Sequence, residues 1–233
     1  MSAWVASLNS SYVGDWIGDN LLWNRIPIAK TPVTYRQFDL ETAIADFDLI
    51  LREQVGRFSQ VADVTPSDLL MQTLDFNAPV ALAINSEKVR SELIIAPILL
   101  ELKRSHPDRV SFFSGKEFNV DADRGLSGFC DFLISRSPRQ SVIQSPVIAI
   151  VEAKNENIEL GLGQCIAEMV AAQIFNQRKG LEIPMILGAV TTRSTWKFMQ
   201  LEGKTVDLDL TEYFLNQVGK ILGILSLTLG LIG

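Results

Sequence analysis

The spacing of apolar and polar positions predicts a succession of helices and strands from residue 65 onward. Thr65, Pro66 and Ser67 are typical of a helix start, and residues 81–104 predict one long, largely buried helix that is kinked at Pro97. The predicted strands are 110–120, 128–135, 146–154 and 183–192, with 196–201 as a continuation, and the later predicted helices are 164–179 and 211–225. Because three consecutive strands favour antiparallel neighbours, this order predicts an α/β domain with a mixed sheet.

The first 64 residues have a weaker pattern. Residues 40–51 predict a helix, and three of the four tryptophans lie before residue 25 among Asn, Gly and Ser residues. We therefore divide the chain into an N-terminal extension, 1–64, whose order the pattern does not fix, and a domain, 65–233. The extension could pack on the domain or bind a partner, either a second copy of this chain or another protein.

Composition and charge narrow the class of protein. With 233 residues, 47% of them hydrophobic and 21% charged, the chain can bury a substantial core. The net charge of −6 disfavours tight, indiscriminate binding of nucleic acid. The acidity is concentrated in residues 1–85, which hold five Lys/Arg and ten Asp/Glu, so the nearly neutral remainder is still compatible with a nucleic-acid partner.

Cysteine usage and the two termini predict a cytoplasmic protein. Cys130 and Cys165 lie in apolar contexts and are interpreted as buried free thiols of a reducing compartment. The N-terminal segment lacks the basic start and long apolar core of a secretory signal. The apolar tail, residues 221–233, is shorter than the ~20 residues that span a bilayer, so we expect it to dock on the core rather than contact a membrane.

Two charged residues end the most apolar strand, PVIAIVEAK. Alternate side chains of a strand share a face, which groups Ile148, Ile150, Glu152 and Lys154 and leaves Val147, Ala149, Val151 and Ala153 on the other face. Both faces are apolar, as in a central strand covered on both sides. Glu152 and Lys154 are then partly desolvated, and such charges are unfavourable unless they are paired or bound to a metal.

A second carboxylate can reach this pair. If strands 128–135 and 146–154 pair around a loop centred near 140–141, Asp131 falls opposite residue 150 or 151, and one step of register brings it to Glu152. Adjacent carboxylates repel each other unless a cation lies between them, and oxygen ligands suit Mg²⁺ or Mn²⁺. With Lys154 nearby, this combination indicates metal-assisted phosphodiester hydrolysis. The alternative is a structural Glu152–Lys154 salt bridge beside a solvated Asp131.

The arrangement of these residues resembles the PD-(D/E)xK nuclease superfamily over residues 80–195. The likeness rests on Asp131, on Glu152-Ala153-Lys154, on the acidic helix before them and on a following helix with Gln164, although Cys130 replaces the proline of the motif. The segment SEKVRSELIIAPIL is also similar to the start of type I restriction-subunit N-terminal nuclease domains. The resemblance implies a restriction-endonuclease-like core, a mixed central sheet flanked by helices in the order αβββαβ.

The resemblance also implies roles for individual residues. Asp131, Glu152 and the Ala153 carbonyl would bind Mg²⁺ or Mn²⁺, and Lys154 would position the attacking water or stabilise the transition state. Gln164 matches the accessory glutamine of Holliday-junction-resolvase-like members; alternatively, it is only a polar residue at a helix start. The first helix is expected to add a carboxylate, for which Glu92 is favoured and Glu87 is the alternative.

We therefore expect a Mg²⁺-dependent nuclease acting on DNA in defence, repair or mobile-element biology. Several cations could contact phosphates or simply form a solvated surface: Lys103, Arg104, Arg136, Arg139, Arg178 and Lys179. A nuclease-fold binding or regulatory module without turnover is the main alternative. An unrelated α/β protein with a Glu-x-Lys salt bridge is the other.

Overall fold

Seven strands in the described part of the chain form one mixed sheet in the order β1-β7-β6-β5-β4-β3-β2. The structure, a computed structural model, describes residues 33–154, 157–192 and 194–230. The strands are β1 (Ile50–Gln54), β2 (Ser111–Glu117), β3 (Phe129–Ser135), β4 (Val147–Lys154), β5 (Ile186–Thr192), β6 (Thr195–Glu202) and β7 (Thr205–Phe214). From Val33 onward the chain forms one compact unit.

The connections follow the predicted order. Strands β2, β3 and β4 are antiparallel neighbours, whereas β5, reached through a helix, is parallel to β4. The predicted α/β class with a mixed sheet is therefore confirmed. Strand β4 lies inside the sheet, and its residues from Val147 to Ala153 are buried, as expected for a strand covered on both faces.

Helices cover both faces of the sheet. They are α1 (Leu40–Asp46), α2 (Asp68–Ile84), α3 (Glu87–Arg90), α4 (Ala96–Ser105), α5 (Glu159–Gln177) and α6 (Val218–Ser226). One buried core joins α2, α4 and α6 to the sheet, and a second joins α1 and α5 to its other face. Ser67 caps the start of α2 by accepting a hydrogen bond from the Leu70 N–H, so the predicted helix start is confirmed.

The long helix predicted over 81–104 is wrong. Helix α2 ends at Ile84, its C-cap Asn85 is left-handed with a φ of 56°, and Ser86 caps a new helix. Residues Ser91–Ile95 form a π-helical turn between α3 and α4. Pro97 has no N–H to donate to the Leu93 carbonyl, which instead accepts a hydrogen bond of 2.9 Å from Asn77 Nδ2.

Two other element predictions need correction. The segment predicted as a helix over 211–225 begins inside β7, and α6 starts only at Val218. The alternation of Val206 and Leu208 with Asp207 and Asp209 is a strand pattern that we missed. Strand β6 is a separate antiparallel neighbour of β5 and not its continuation.

Residues 33–64, assigned from sequence to an extension, contribute to the sheet and its cover. Helix α1 ends at Asp46, within the helix predicted over 40–51, and β1 pairs in parallel with β7. The N-terminal tryptophans lie outside the described residues. At the other end, Ile221, Leu222, Ile224 and Leu225 are buried, so the described part of the tail docks on the core as predicted. Across the described ranges, no helix has the length and apolarity needed to cross a bilayer.

Candidate functional site

Asp131 and Glu152 are neighbours across the β3–β4 ladder. Ser135 pairs with Val147, but an irregularity after Ile134 shifts the register by one residue, so that Phe132 pairs with Val151. Continuing this register places Asp131 opposite Glu152, the one-step alternative of the sequence prediction. The Asp131 N–H donates to Glu152 Oε1 over 3.3 Å, and the Ala153 N–H donates to Asp131 Oδ2 over 2.9 Å.

The same irregularity changes the predicted faces of β4. Ile148 lies in the core that contains Ala149 and Val151, whereas Ile150 lies in the other core. The predicted grouping of Ile148 with Ile150 is therefore wrong, because a bulge adds a residue and interrupts the alternation. From Ala149 to the end of the strand the alternation holds.

The Lys154 side chain is held between a strand and a helix. Its Nζ lies 3.3 Å from Glu152 Oε2 and donates to Gln164 Oε1 over 2.7 Å. The Lys154 side chain keeps 21% of its surface exposed, while that of Glu152 is fully buried. The structure thus brings Asp131, Glu152, Lys154 and Gln164 together at the end of β4.

Close approach of α5 to β4 depends on glycine. Helix α5 begins at Glu159, so Gly161 and Gly163 lie inside it and Gln164 lies in its second turn, not its first. A Cβ on Gly161 would lie 2.6 Å from Val190 Cγ1 and 3.0 Å from Lys154 Cγ. The absence of that atom lets the helix pack directly on the Lys154 stem.

Glu168 completes the cluster and was missed in the sequence analysis. Gln164 Nε2 donates to Glu168 Oε1 over 3.0 Å. Glu168 is fully buried, and its Oε2 has no hydrogen-bond partner among the described residues. Residues four apart on a helix are neighbours, so the spacing of Gln164 and Glu168 was a signal that could have revealed it.

Burial and mutual repulsion perturb both buried carboxylates. Burial raises the pKa of Glu152 well above its ordinary value, and the Glu168 and Asp131 carboxylates raise it further against the lowering effect of Lys154. Burial raises the pKa of Glu168 to about 7, although the adjacent Glu152 carboxyl group and the Gln164 amide oppose this. Protonation of either carboxyl group would relieve the repulsion between them.

A cavity of about 330 Å³ opens onto this cluster. Its walls are formed by Arg36, Glu87, Asp131, Glu152, Lys154, Leu160 and Gln164. Of the two candidate acids in the first helix, Glu87 faces the cavity. Glu92, which the sequence analysis favoured, is not among the residues lining it; its side chain is 61% exposed and lies 3.9 Å from Lys88 Nζ.

The cations predicted to contact phosphates do not line the cavity. Arg136 and Arg139 follow β3 at the end opposite Asp131, which places them at least about 13 Å away along the strand. Arg178, at the end of α5, is paired with Asp121 at 3.5 Å. Lys103 donates to the Pro107 carbonyl. None of these four residues lines the cavity around Asp131, and neither do Arg104 and Lys179.

Both cysteines are buried free thiols, as predicted. Burial, together with the nearby Glu168 and Glu152 carboxylates, raises the pKa of Cys130 and of Cys165 well above the ordinary thiol value. Both thiols therefore stay protonated at neutral pH. They contribute packing beside the cluster and no thiolate nucleophile.

The cluster offers oxygen donors for a metal. Within the described ranges, no group of three or more His, Cys, Asp or Glu side chains is arranged to hold an ion. The donors expected from the resemblance are instead two carboxylates and a carbonyl. The N–H and C=O of a strand residue face the same side, so the Ala153 carbonyl is directed to the side of Asp131, to which its N–H donates.

Comparison with known proteins adds no family. The chain matches no protein-family model and no curated protein sequence. The chemistry of the site therefore has to carry the functional assignment.

Proposed function

We propose that this protein is a divalent-metal-dependent nuclease with a restriction-endonuclease-like fold, which hydrolyses phosphodiester bonds of DNA. The observation that carries the proposal is the convergence of Asp131, Glu152 and Lys154, with Gln164, on one cavity wall. The order of α4, β2, β3, β4, α5 and β5 supports the proposed fold, because it reads αβββαβ.

The residues present fit a small, hard cation such as Mg²⁺ or Mn²⁺. Asp131, Glu152 and Glu168 are three neighbouring carboxylates, of which Glu152 contacts the Lys154 ammonium, and Glu168 Oε2 has no hydrogen-bond partner among the described residues. Asp131 is only partly buried and opens to the cavity, so it and Glu152 would hold the ion together with the Ala153 carbonyl. A bound ion would supply an activated water and offset charge that develops on the phosphate.

Lys154 would act on the reacting groups through its remaining donor. An ammonium has three N–H groups, and two of them are directed at Glu152 and Gln164. The third is left for a water or a phosphate oxygen in the cavity. Gln164, fixed in turn by Glu168, holds the ammonium in place before the substrate arrives.

A cleavage assay with matched lysine variants tests the proposal. Lys154→Ala should abolish Mg²⁺- or Mn²⁺-dependent DNA cleavage, with a loss of about 100-fold or more, while the circular dichroism spectrum stays that of wild type. Lys116→Ala, at an exposed position of β2, should cut like wild type. If Lys154→Ala cuts as well as wild type, the assignment of the site is wrong.

A nuclease-fold binding module without turnover is the second candidate. Two observations favour it. Lys154 already donates a hydrogen bond to Gln164, and Gln164 donates one to Glu168, so these side chains have partners without a metal or a substrate. The overall charge is −6. This candidate predicts that wild type binds DNA and that no divalent ion supports cleavage.

A further inference from the structure

Arg36 faces the cavity around Asp131, although the sequence analysis assigned it to the N-terminal extension and not to the domain. It lies in the short 3₁₀ turn Tyr35–Gln37 and lines the cavity with Asp131 and Lys154. The Arg36 side chain is exposed, and it forms no ion pair with any residue that the structure describes. An arginine beside a cluster of carboxylates that pairs with none of them is available to an incoming anion.

Buried residues on both sides of Arg36 fix the turn. Tyr35 is 1% exposed, and its hydroxyl donates to the Phe118 carbonyl over 2.6 Å. Its N–H donates to the Ser127 carbonyl over 3.2 Å. On the other side, the buried Phe38 ring packs on Phe47 with ring centroids 5.1 Å apart. The backbone of Arg36 is thus positioned in advance, which lowers the entropy lost on binding.

The sign of the net charge around the cavity depends on whether a divalent metal ion is bound. Arg36 and Lys154 oppose three carboxylates, those of Glu87, Asp131 and Glu152. Without a divalent ion the carboxylates outnumber the cations, and a phosphate is repelled. A bound dication reverses this balance. Since Lys154 already donates to Glu152 and Gln164, Arg36 is the cation best placed to bind a phosphate through its guanidinium fork.

We propose that Arg36 binds non-bridging oxygens of the DNA backbone beside the scissile bond and forms a phosphate subsite that fills only when the metal is bound. This proposal rests on the nuclease function proposed above. The part of the substrate that Arg36 recognises at the outer wall of the cavity is a backbone phosphate.

Equilibrium binding separates this subsite from catalysis. The affinity of each protein for a short fluorescent DNA duplex would be measured by anisotropy in Ca²⁺ and in EDTA. In Ca²⁺, Arg36→Ala should weaken binding roughly 10-fold to 100-fold, the range for a charge-assisted hydrogen bond, and Arg36→Lys should fall between it and wild type. The control Arg52→Ala removes an exposed arginine of β1, at the sheet edge separated from β4 by β7, β6 and β5.

The outcomes are distinct. Arg52→Ala should bind like wild type in Ca²⁺, and EDTA should weaken wild-type binding strongly. Equal affinity of Arg36→Ala and wild type in Ca²⁺, or no measurable binding by wild type, would overturn the subsite. Equal wild-type affinity in Ca²⁺ and EDTA would overturn its dependence on metal. Binding in Ca²⁺ that responds to Arg36, together with no cleavage of the same duplex in Mg²⁺ or Mn²⁺, would support a phosphate subsite and reject the nuclease.

Discussion

The Lys154 ammonium and the Gln164 carboxamide lie 2.7 Å apart and tie the end of β4 to the second turn of α5. Neither side chain could reach the other if the helix stood farther from the sheet. Gly161 permits the approach, because its missing Cβ would fall within 3.0 Å of the Lys154 stem. The position of the proposed catalytic lysine is therefore set by a glycine in the facing helix.

Substitution of that glycine should impair the site more than the fold. In Gly161→Ala the new methyl must displace Val190 or Lys154, which should lower stability by about 1–3 kcal/mol. A lysine misplaced by about 1 Å should lower the cleavage rate by up to about 100-fold. Gly219→Ala, in α6, is the control and should cut normally. Normal cleavage by Gly161→Ala would show that the distance between α5 and β4 does not determine the position of Lys154.

Glu87 in α3 and Glu92 in the following π turn form a matched pair. Glu87 lines the cavity, whereas the exposed Glu92 side chain does not. Glu87→Gln should therefore lower kcat/KM for DNA cleavage by about 10-fold or more, and Glu92→Gln should leave it within about twofold of wild type. The opposite ranking in steady-state kinetics would restore Glu92 as the first-helix acid.

The amino-acid sequence allowed the central part of this site to be predicted, because strong local signals determine it. An apolar strand that ends in two charges, beside a second strand with one acid, leaves few ways to bring Asp131 near Glu152. The final step of register came from a bulge after Ile134, which alternation alone does not reveal.

The irregular helix explains why the sequence analysis favoured Glu92 over Glu87. The choice between Glu87 and Glu92 assumed one continuous helix. Both acids follow the left-handed Asn85, so neither belongs to the helix before it, and Glu92 lies within the π turn Ser91–Ile95, which changes its phase relative to Glu87. Glu92 was favoured because it stands shortly before the most apolar stretch of the segment, and that position alone does not predict which way its side chain faces. Arg36 was missed for another reason: it reaches the cavity only through tertiary packing of Tyr35 and Phe38.

Glu168 should make stability fall as pH rises. Its folded-state pKa of about 7 lies above the ordinary value of 4.5, so between these pH values the folded protein holds a proton that the unfolded chain has lost. Stability is then greatest below about pH 4.5 and declines until about pH 7, by on the order of 3 kcal/mol. Glu168→Gln removes this titration and should raise the free energy of unfolding at pH 8.

Urea unfolding in EDTA at pH 5 and pH 8 measures the effect. The free energy of unfolding of Glu168→Gln should exceed that of wild type at pH 8 and approach it at pH 5. Glu53→Gln, at an exposed site on β1, should have the same free energy of unfolding as wild type at both pH values. Equal destabilisation of Glu168→Gln at both pH values would mean that the carboxylate is a structural acceptor only.

A calorimetric titration with Mn²⁺ tests the central claim most directly, because it needs no substrate. Wild type should bind Mn²⁺ at a single site, and Asp131→Asn and Glu152→Gln should each weaken binding by about 10-fold or more, since each removes a charged ligand. Asp108→Asn, at an exposed loop position, should bind like wild type. Absence of Mn²⁺ binding by wild type, or unchanged affinity in Asp131→Asn, would contradict a metal site at the end of β4.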